Sequence, residues 1–184
     1  ELNSKVTLIK IPSLDIYAEE DRLRSFKARY LLSPLDLFEW LSVMTGGFPE
    51  PFTFGKRIEK YLKNNKDVYD VIHDNQSLCY SLLKVQKTFP LVVTIHHPIT
   101  KDHSLELSAA TNWKQRLSSN RWHSFLKMQK RVSPKLFNII CPSNHSRNDV
   151  IEEFKVNPKS VGVILNGIDI DTFNVNNRIK KIPY

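Results

Sequence analysis

The residues best suited to chemistry in this 184-residue chain stand at the ends of apolar runs. The tetrad "HDNQ" at 73–76 follows "YDVI", and "HHP" at 96–98 follows "LVVTI". Likewise "PSNHS" at 142–146 follows "LFNIIC", and "NGID" at 166–169 follows "VGVIL". In an open α/β sheet, ligands bind outside the carboxyl ends of the strands. Four polar segments so placed would line one crevice, with imidazole, carboxylate and amide groups able to donate, accept or hold a proton near neutral pH. A metal centre is the rival, drawing on His73, Asp74, His96, His97, Asp102 and His103. Successive strand side chains point to opposite faces, so His96 and His97 do not readily share one ion. There is also no "HExxH" pattern and no nearby cysteine, and no metal is expected. A serine or cysteine nucleophile is disfavoured because no "GxSxG" elbow occurs. None of the five glycines sits in a strand–Gly-x-Gly–helix context, so the chain offers no phosphate-cradling loop of its own.

The elements that must position these residues follow from hydrophobic periodicity. Aliphatic runs "KVTLIKI", "YDVIHD", "LVVTIHH", "LFNIICPS" and "VGVILNG" alternate with helical patterns. Continuous apolar runs are the mark of strands buried on both faces, so the expected class is α/β, a doubly wound parallel sheet of Rossmann-like type with helices on both faces. "SPLDLFEWLSVMTGG" predicts a helix with Leu37, Trp40, Leu41 and Met44 inward, stopped by Gly46 and Gly47. "TFGKRIEKYLKNN" predicts one capped by Thr53, with Arg57 on its first turn and Ile58, Tyr61 and Leu62 inward. "NQSLCYSLLKVQK" packs Leu78, Leu82 and Val85, and "PSNHSRNDVIEEF" has Ser143 or Asn144 as cap, then Val150, Ile151 and Phe154. Residues 98–118 have no clear period, and a loop of that length is often functional.

Composition fits one domain with a real core, at 41% hydrophobic and 25% charged residues. No run approaches the roughly 20 apolar residues of a membrane span, and the start has no secretory-signal pattern, so the cytoplasm is the expected location. Cys79 and Cys141 fall in a helix and at a strand end, and read as reduced core residues. The formal charge of +8 is concentrated: no acid occurs from Leu107 to Arg147, and eight basic residues there, Lys114, Arg116, Arg121, Lys127, Lys130, Arg131, Lys135 and Arg147, account for the excess. That segment is either a solvated helix face or a surface for anionic lipid or phosphate. Trp122, Phe125, Leu126 and Val132 make one helical stripe within it, with Trp113 upstream. A stripe of this kind is more often core than membrane-facing, while the cations suit peripheral contact with an anionic inner leaflet through residues 113–135.

The stretch "FNIICPSNHSRNDVIEEFKVNPKSVGVILNGIDIDTF" resembles the end of the N-terminal domain of family 4 glycosyltransferases, which have the GT-B fold of two facing Rossmann-like domains. "YDVIHDNQSL" and "VVTIHHPIT" resemble the preceding strands, so the likeness runs over about residues 67–174. It implies a retaining transfer from a nucleotide-sugar donor to an unidentified acceptor, a lipid or a cell-envelope glycan, with no cofactor, no metal and no nucleic-acid partner. His96 falls where the family carries a histidine facing the transferred sugar. Asp74, Asn75, Gln76, His97 and Arg57 become acceptor-side candidates, and Ser143, Asn166, Gly167 and Asp169 would lie at the interdomain cleft. Residues 1–174 would form the acceptor-side domain, without the opening strand and glycine-rich loop that precede "VTLIKI" in the family. Residues 175–184 would begin a linker to a donor-binding domain outside this chain, which alone would be inactive. The rival is a non-catalytic α/β module that binds an anionic or phosphorylated partner through the basic segment.

Overall fold

A computed structural model describes residues 5–16 and 25–170, and the expected linker at 175–184 and the end of "NGIDIDTF" lie outside the described residues. Four parallel strands form one sheet in sequential order: β1 (Ile72–Asn75), β2 (Leu91–Thr94), β3 (Ile139–Cys141) and β4 (Val161–Val163). This is the parallel, Rossmann-like α/β sheet that the alternating runs announce, although among the described residues the four strands wind in one direction, with their helices on one face rather than both. Right-handed crossovers between sequential parallel strands put their helices on one face. That face holds Leu91, Val93, Ile95, Ile139, Cys141 and Val161, all buried in one apolar cluster with Leu82, Val85, Met128, Val132, Val150 and Phe154. Residues of alternate register, Val92, Thr94 and Ile140, are half-buried on the other face.

Two helices precede the sheet, α1 (Pro34–Met44) and α2 (Glu50–Asn64). The short α3 (Leu82–Val85) joins β1 to β2, and α7 (Asn144–Phe154) joins β3 to β4. Between β2 and β3 stand α4 (Ile99–Ala109), α5 (Trp113–Trp122) and α6 (Leu126–Val132). The stretch without clear period is therefore two helices rather than a loop. Their amphipathicity is faint because most of their side chains face solvent, and α5 buries none.

Three expectations change. "KVTLIKI" forms no strand: Val6, Leu8 and Ile9 are exposed, and residues 5–11 pair with none of the four strands, so β propensity there has no ladder to act in. In α1 the inner residues are Glu39, Ser42 and Val43, while Leu41 is exposed. Polar partners turn the helix: Arg57 binds Glu39 at 2.6 Å, and Arg121 donates to Ser42 Oγ and to the Ser42 carbonyl. The second helix starts at Glu50, with Pro51 in its first turn, so Thr53 is a buried interior residue rather than its cap.

Gly55 fixes how α2 meets the segment after β1. A Cβ there would collide with Cys79 Sγ and lie 2.8 Å from Cys79 Cβ. Alanine is worth about 1 kcal/mol over glycine in a helix, but overpacking a close-packed contact costs about 1–3 kcal/mol. Gly55→Ala is therefore expected to lose stability, by about 1 kcal/mol in urea unfolding, and Cys79→Ala in the same chain to recover part of the loss. A stabilised Gly55→Ala would show that this approach is looser than described.

Candidate functional site

The ends of β1 and β2 are joined by side chains rather than by further ladder. β1 pairs in register to Asn75 opposite Thr94. Beyond that point the Gln76 backbone turns left-handed, at φ 64°, and its side chain replaces the strand. Its Nε2 donates to the His97 carbonyl at 2.9 Å, and its Oε1 accepts from the His96 backbone N–H at 2.6 Å. One amide thus satisfies the donor and the acceptor that a neighbouring strand residue would have satisfied. On the other side of β2, Ile95 N–H still donates to the Ile140 carbonyl of β3. A left-handed non-glycine residue costs about 1–3 kcal/mol, and the two hydrogen bonds offset this.

Period two then sorts the side chains. Val92, Thr94 and His96 share one face of β2, with Asn75 and His73 on the matching face of β1. His96 Nε2–H donates to Asn75 Oδ1 at 2.7 Å, which leaves Nδ1 available. His73 Nε2 lies 2.7 Å from Thr94 Oγ1. His97 turns the other way, to Asp102 on α4, with Nε2 3.1 Å from Oδ2. The two adjacent rings are therefore split between two partners. Among the described residues, no group of three His, Cys, Asp or Glu side chains is arranged to hold a metal ion.

Asp74 points away from His96. It accepts from the Ser77 backbone N–H at 3.0 Å and from Ser77 Oγ, closing the turn that Gln76 opens. Burial pushes its carboxyl above the usual range, against the pull of the Ser77 hydrogen bonds. Burial likewise raises both free thiols, Cys141 to about 11, so neither is primed as a nucleophile.

The other candidates are dispersed. Arg57 belongs to an ion-pair cluster between α2 and α1, with Nη2 2.7 Å from Asp36 and Nη1 2.6 Å from Glu39, whose side chain is 3% exposed. Ser143 is the N-cap of α7, accepting from the Ser146 N–H at 3.0 Å. Asn166, Gly167 and Asp169 are exposed on the irregular segment after β4. Two features escaped sequence reasoning. Asp102 is a partner of His97 because α4 starts at once after Pro98, and Arg121 spans from α5 to the end of α1, where it donates to Thr45 Oγ1 at 2.7 Å. The i, i+5 spacing of His97 and Asp102 was a weak signal for the first, and nothing local announces the second.

Comparison with known proteins bears on what such a strand-end cluster serves. The profile of Glycosyltransferase Family 4 matches residues 14–172, nearly the whole chain. The chain belongs to glycosyltransferase family 4. It is also 40% identical, over 97% of its own length, to the MMP alpha-(1->4)-mannosyltransferase of Mycolicibacterium hassiacum. It spans 44% of that relative's length.

Arg57 offers a direct check on which candidates are structural. Arg57→Ala leaves Glu39 buried without its partner, and losing half of a buried pair costs about 3–5 kcal/mol. The expected outcome is a fall in unfolding free energy of about 3 kcal/mol, eased when Glu39→Gln is added. Unchanged stability in both variants would free Arg57 for ligand binding.

Proposed function

We propose that this chain supplies the acceptor-side part of a retaining glycosyltransferase that moves a mannosyl group from a nucleotide-sugar donor to a glycan acceptor. The observation that carries the reading is His96 on a family 4 scaffold, held at the carboxyl end of β2 by Asn75 and Gln76 with Nδ1 left free. The mannosyl group and an α-(1→4) product are carried over from the relative's name. Retention of configuration is what the family resemblance implies.

On this reading His96 faces the transferred sugar. A pre-set imidazole beside the reacting centre hydrogen-bonds a sugar hydroxyl and steadies charge that develops in the transition state, at no cost in reorganisation. Asn75 and Gln76 then act through His96, and His97 with Asp102 stands on the acceptor side. The diphosphate of the donor is held by groups of a further domain, consistent with a chain that spans 44% of its relative. No metal is needed if those groups are cationic. The setting is the cytoplasm.

The test uses the enzyme that contains both domains. His96→Ala is expected to lower kcat about 100-fold, in line with loss of a transition-state donor, while His97→Ala acts mainly on acceptor KM. Equal, mild effects on both would remove the chemical role of this strand end. The 184-residue chain alone is expected to transfer no sugar, and calorimetry showing micromolar binding of a nucleotide sugar to it would contradict the division of labour.

Peripheral membrane contact is the part of the proposal that the packing narrows. No helix among the described residues is long and apolar enough to cross a membrane. Leu126 and Val132 are buried and Phe125 meets the Phe48 ring edge-on, so most of this stripe packs inward, while Trp122 stacks on Phe48 at 5.1 Å and stays 39% exposed. Arg121, Arg131 and Arg147 are committed to protein partners. What faces outward is α5, with Trp113 and Leu117 exposed and Lys114 over the Trp113 ring. Each cation near an anionic leaflet contributes about 1 kcal/mol. Weak cosedimentation with phosphatidylglycerol vesicles is expected, lost on raised salt and in Trp113→Ala/Lys114→Ala. Binding that ignores lipid charge or salt would remove the membrane from the proposal.

A further inference from the structure

A hollow of about 290 Å³ opens between α1, the first turn of α2, the segment after β1 and α6. That is near the lower end, about 300 Å³, of the volumes that hold small molecules. Five of its lining residues are aromatic: Phe38, Phe48, Phe52, Tyr80 and Phe125. None of the five is fully buried, and Phe38 is 48% exposed. The rings hold one another instead. Phe38 meets Phe52 edge-on at 5.4 Å, Phe48 meets Phe125 edge-on at 5.5 Å, and Phe48 also stacks on Trp122. A fixed aromatic wall thus faces solvent, which is the mark of a binding groove rather than of scattered surface residues. Tyr80 stands on the segment that leaves β1 through the Gln76 turn, and this places the hollow towards the carboxyl end of the sheet, as His96 is.

The charged groups of the lining all have one sign. Arg121, Lys127 and Arg131 contribute and no Asp or Glu does. Among the described residues none of the three has a carboxylate within ion-pair distance. Arg121 is half-buried, yet its acceptors are neutral: Thr45 Oγ1 at 2.7 Å, Ser42 Oγ at 3.0 Å, Ser124 Oγ at 3.1 Å and the Ser42 carbonyl. A charge drawn out of water without a counter-charge is costly, and an anion in the hollow would offset that cost. Arg131 and Lys127 are exposed and open to such an anion directly. Arg131 gives one N–H to the Tyr80 hydroxyl at 3.3 Å, which orients the guanidinium and uses one of its five donors. The hydroxyl, accepting there, keeps its own hydrogen to donate. A guanidinium fork, an ammonium group and a hydroxyl match a carboxylate or a phosphate. The aromatic faces match the apolar C–H face of a sugar ring.

We propose that this hollow binds one sugar unit that bears a carboxylate or a phosphate. The ring lies against Phe38 and Phe52, and the anionic group against Arg131, Lys127 and the Tyr80 hydroxyl, with Arg121 as a fixed charge beside them. As a statement about the acceptor this rests on the transfer reading above: the acceptor is an acidic saccharide, and the hollow holds one of its units. The affinity itself does not, because none of these groups belongs to the His96 cluster.

Glucose 6-phosphate and glucuronate are the probes, titrated by calorimetry into the 184-residue chain, with glucose and inorganic phosphate as the separate halves of the ligand. Saturable binding of at least one charged sugar is expected, about tenfold tighter than either half. Binding of neither, phosphate held as tightly as glucose 6-phosphate, or glucose held as tightly as the charged sugars would each overturn the assignment. Phe38→Leu and Arg131→Gln each weaken the binding about tenfold, equivalent to about 1.4 kcal/mol. Both side chains are exposed, so thermal unfolding near that of the parent shows that the loss is not one of fold. Arg116→Gln, with the same change in charge but outside the lining, leaves binding unaltered. An equal loss there would mean a general charge effect and overturn the site. In the enzyme that contains both domains, His96→Ala lowers transfer and leaves probe binding intact. Undiminished transfer in Phe38→Leu and Arg131→Gln would overturn the acceptor assignment and spare the transfer reading, whereas probe binding by an enzyme that transfers no sugar would contradict the transfer reading and spare the site.

Discussion

The Gln76 side chain is the constraint on which the candidate site depends. Strands β1 and β2 are each four residues long and end in register at Asn75 and Thr94, so the backbone of His96 and His97, beyond that ladder, would have open valences on the β1 side. The Gln76 amide fills both, and the left-handed turn that lets it do so also sends the chain away from the sheet. With the backbone fixed, strand alternation sends the two rings to different faces. Asn75 then secures one ring and Asp102 the other. Adjacent histidines in the sequence become two separate groups in space.

The turn is secured from beneath. Asp74 and Ser77 close it, Leu78 follows in a second left-handed conformation and is fully buried, and Cys79 is wedged against Gly55 of α2. Ser81 Oγ then donates to Glu59, tying α2 to α3 at a second point. Strain in the turn is thus held by close packing of a helix that itself carries no candidate chemistry beyond Arg57. In the same manner Arg121 ties the long insertion between β2 and β3 back to α1. A Cβ on Gly47 would collide with its guanidinium, which explains a second glycine after the helix stop at Gly46.

Much of this was legible in the sequence where local pattern and tertiary role coincide. The four strands, the Ser143 cap and the Val150, Ile151 and Phe154 face of α7 follow from periodicity and capping alone, and the family motifs lie in that same stretch. The grouping of His96 with Asn75 and Gln76 was legible only as shared placement at strand ends. That the amides bind the histidine segment, rather than a ligand, needs the register of two strands, which no single run contains. The face of α1 and the place of Arg57 were hidden for a related reason. A buried Glu39 is unfavourable on any hydropathy scale until its partner is known. Residues 5–11 show the reverse case, a strand pattern with no neighbouring strand to accept it.

The central claim is that side-chain lacing from β1 holds the His96 ring in one orientation and one tautomer. Long-range ¹H–¹⁵N correlation of the His96 imidazole measures this directly at neutral pH, in the parent chain and in Gln76→Ala. The account predicts a ring protonated at Nε2 alone, donating to Asn75 with Nδ1 bare, and exchange averaging between tautomers once Gln76 is shortened. A ring protonated at Nδ1, or averaged already in the parent, would contradict it.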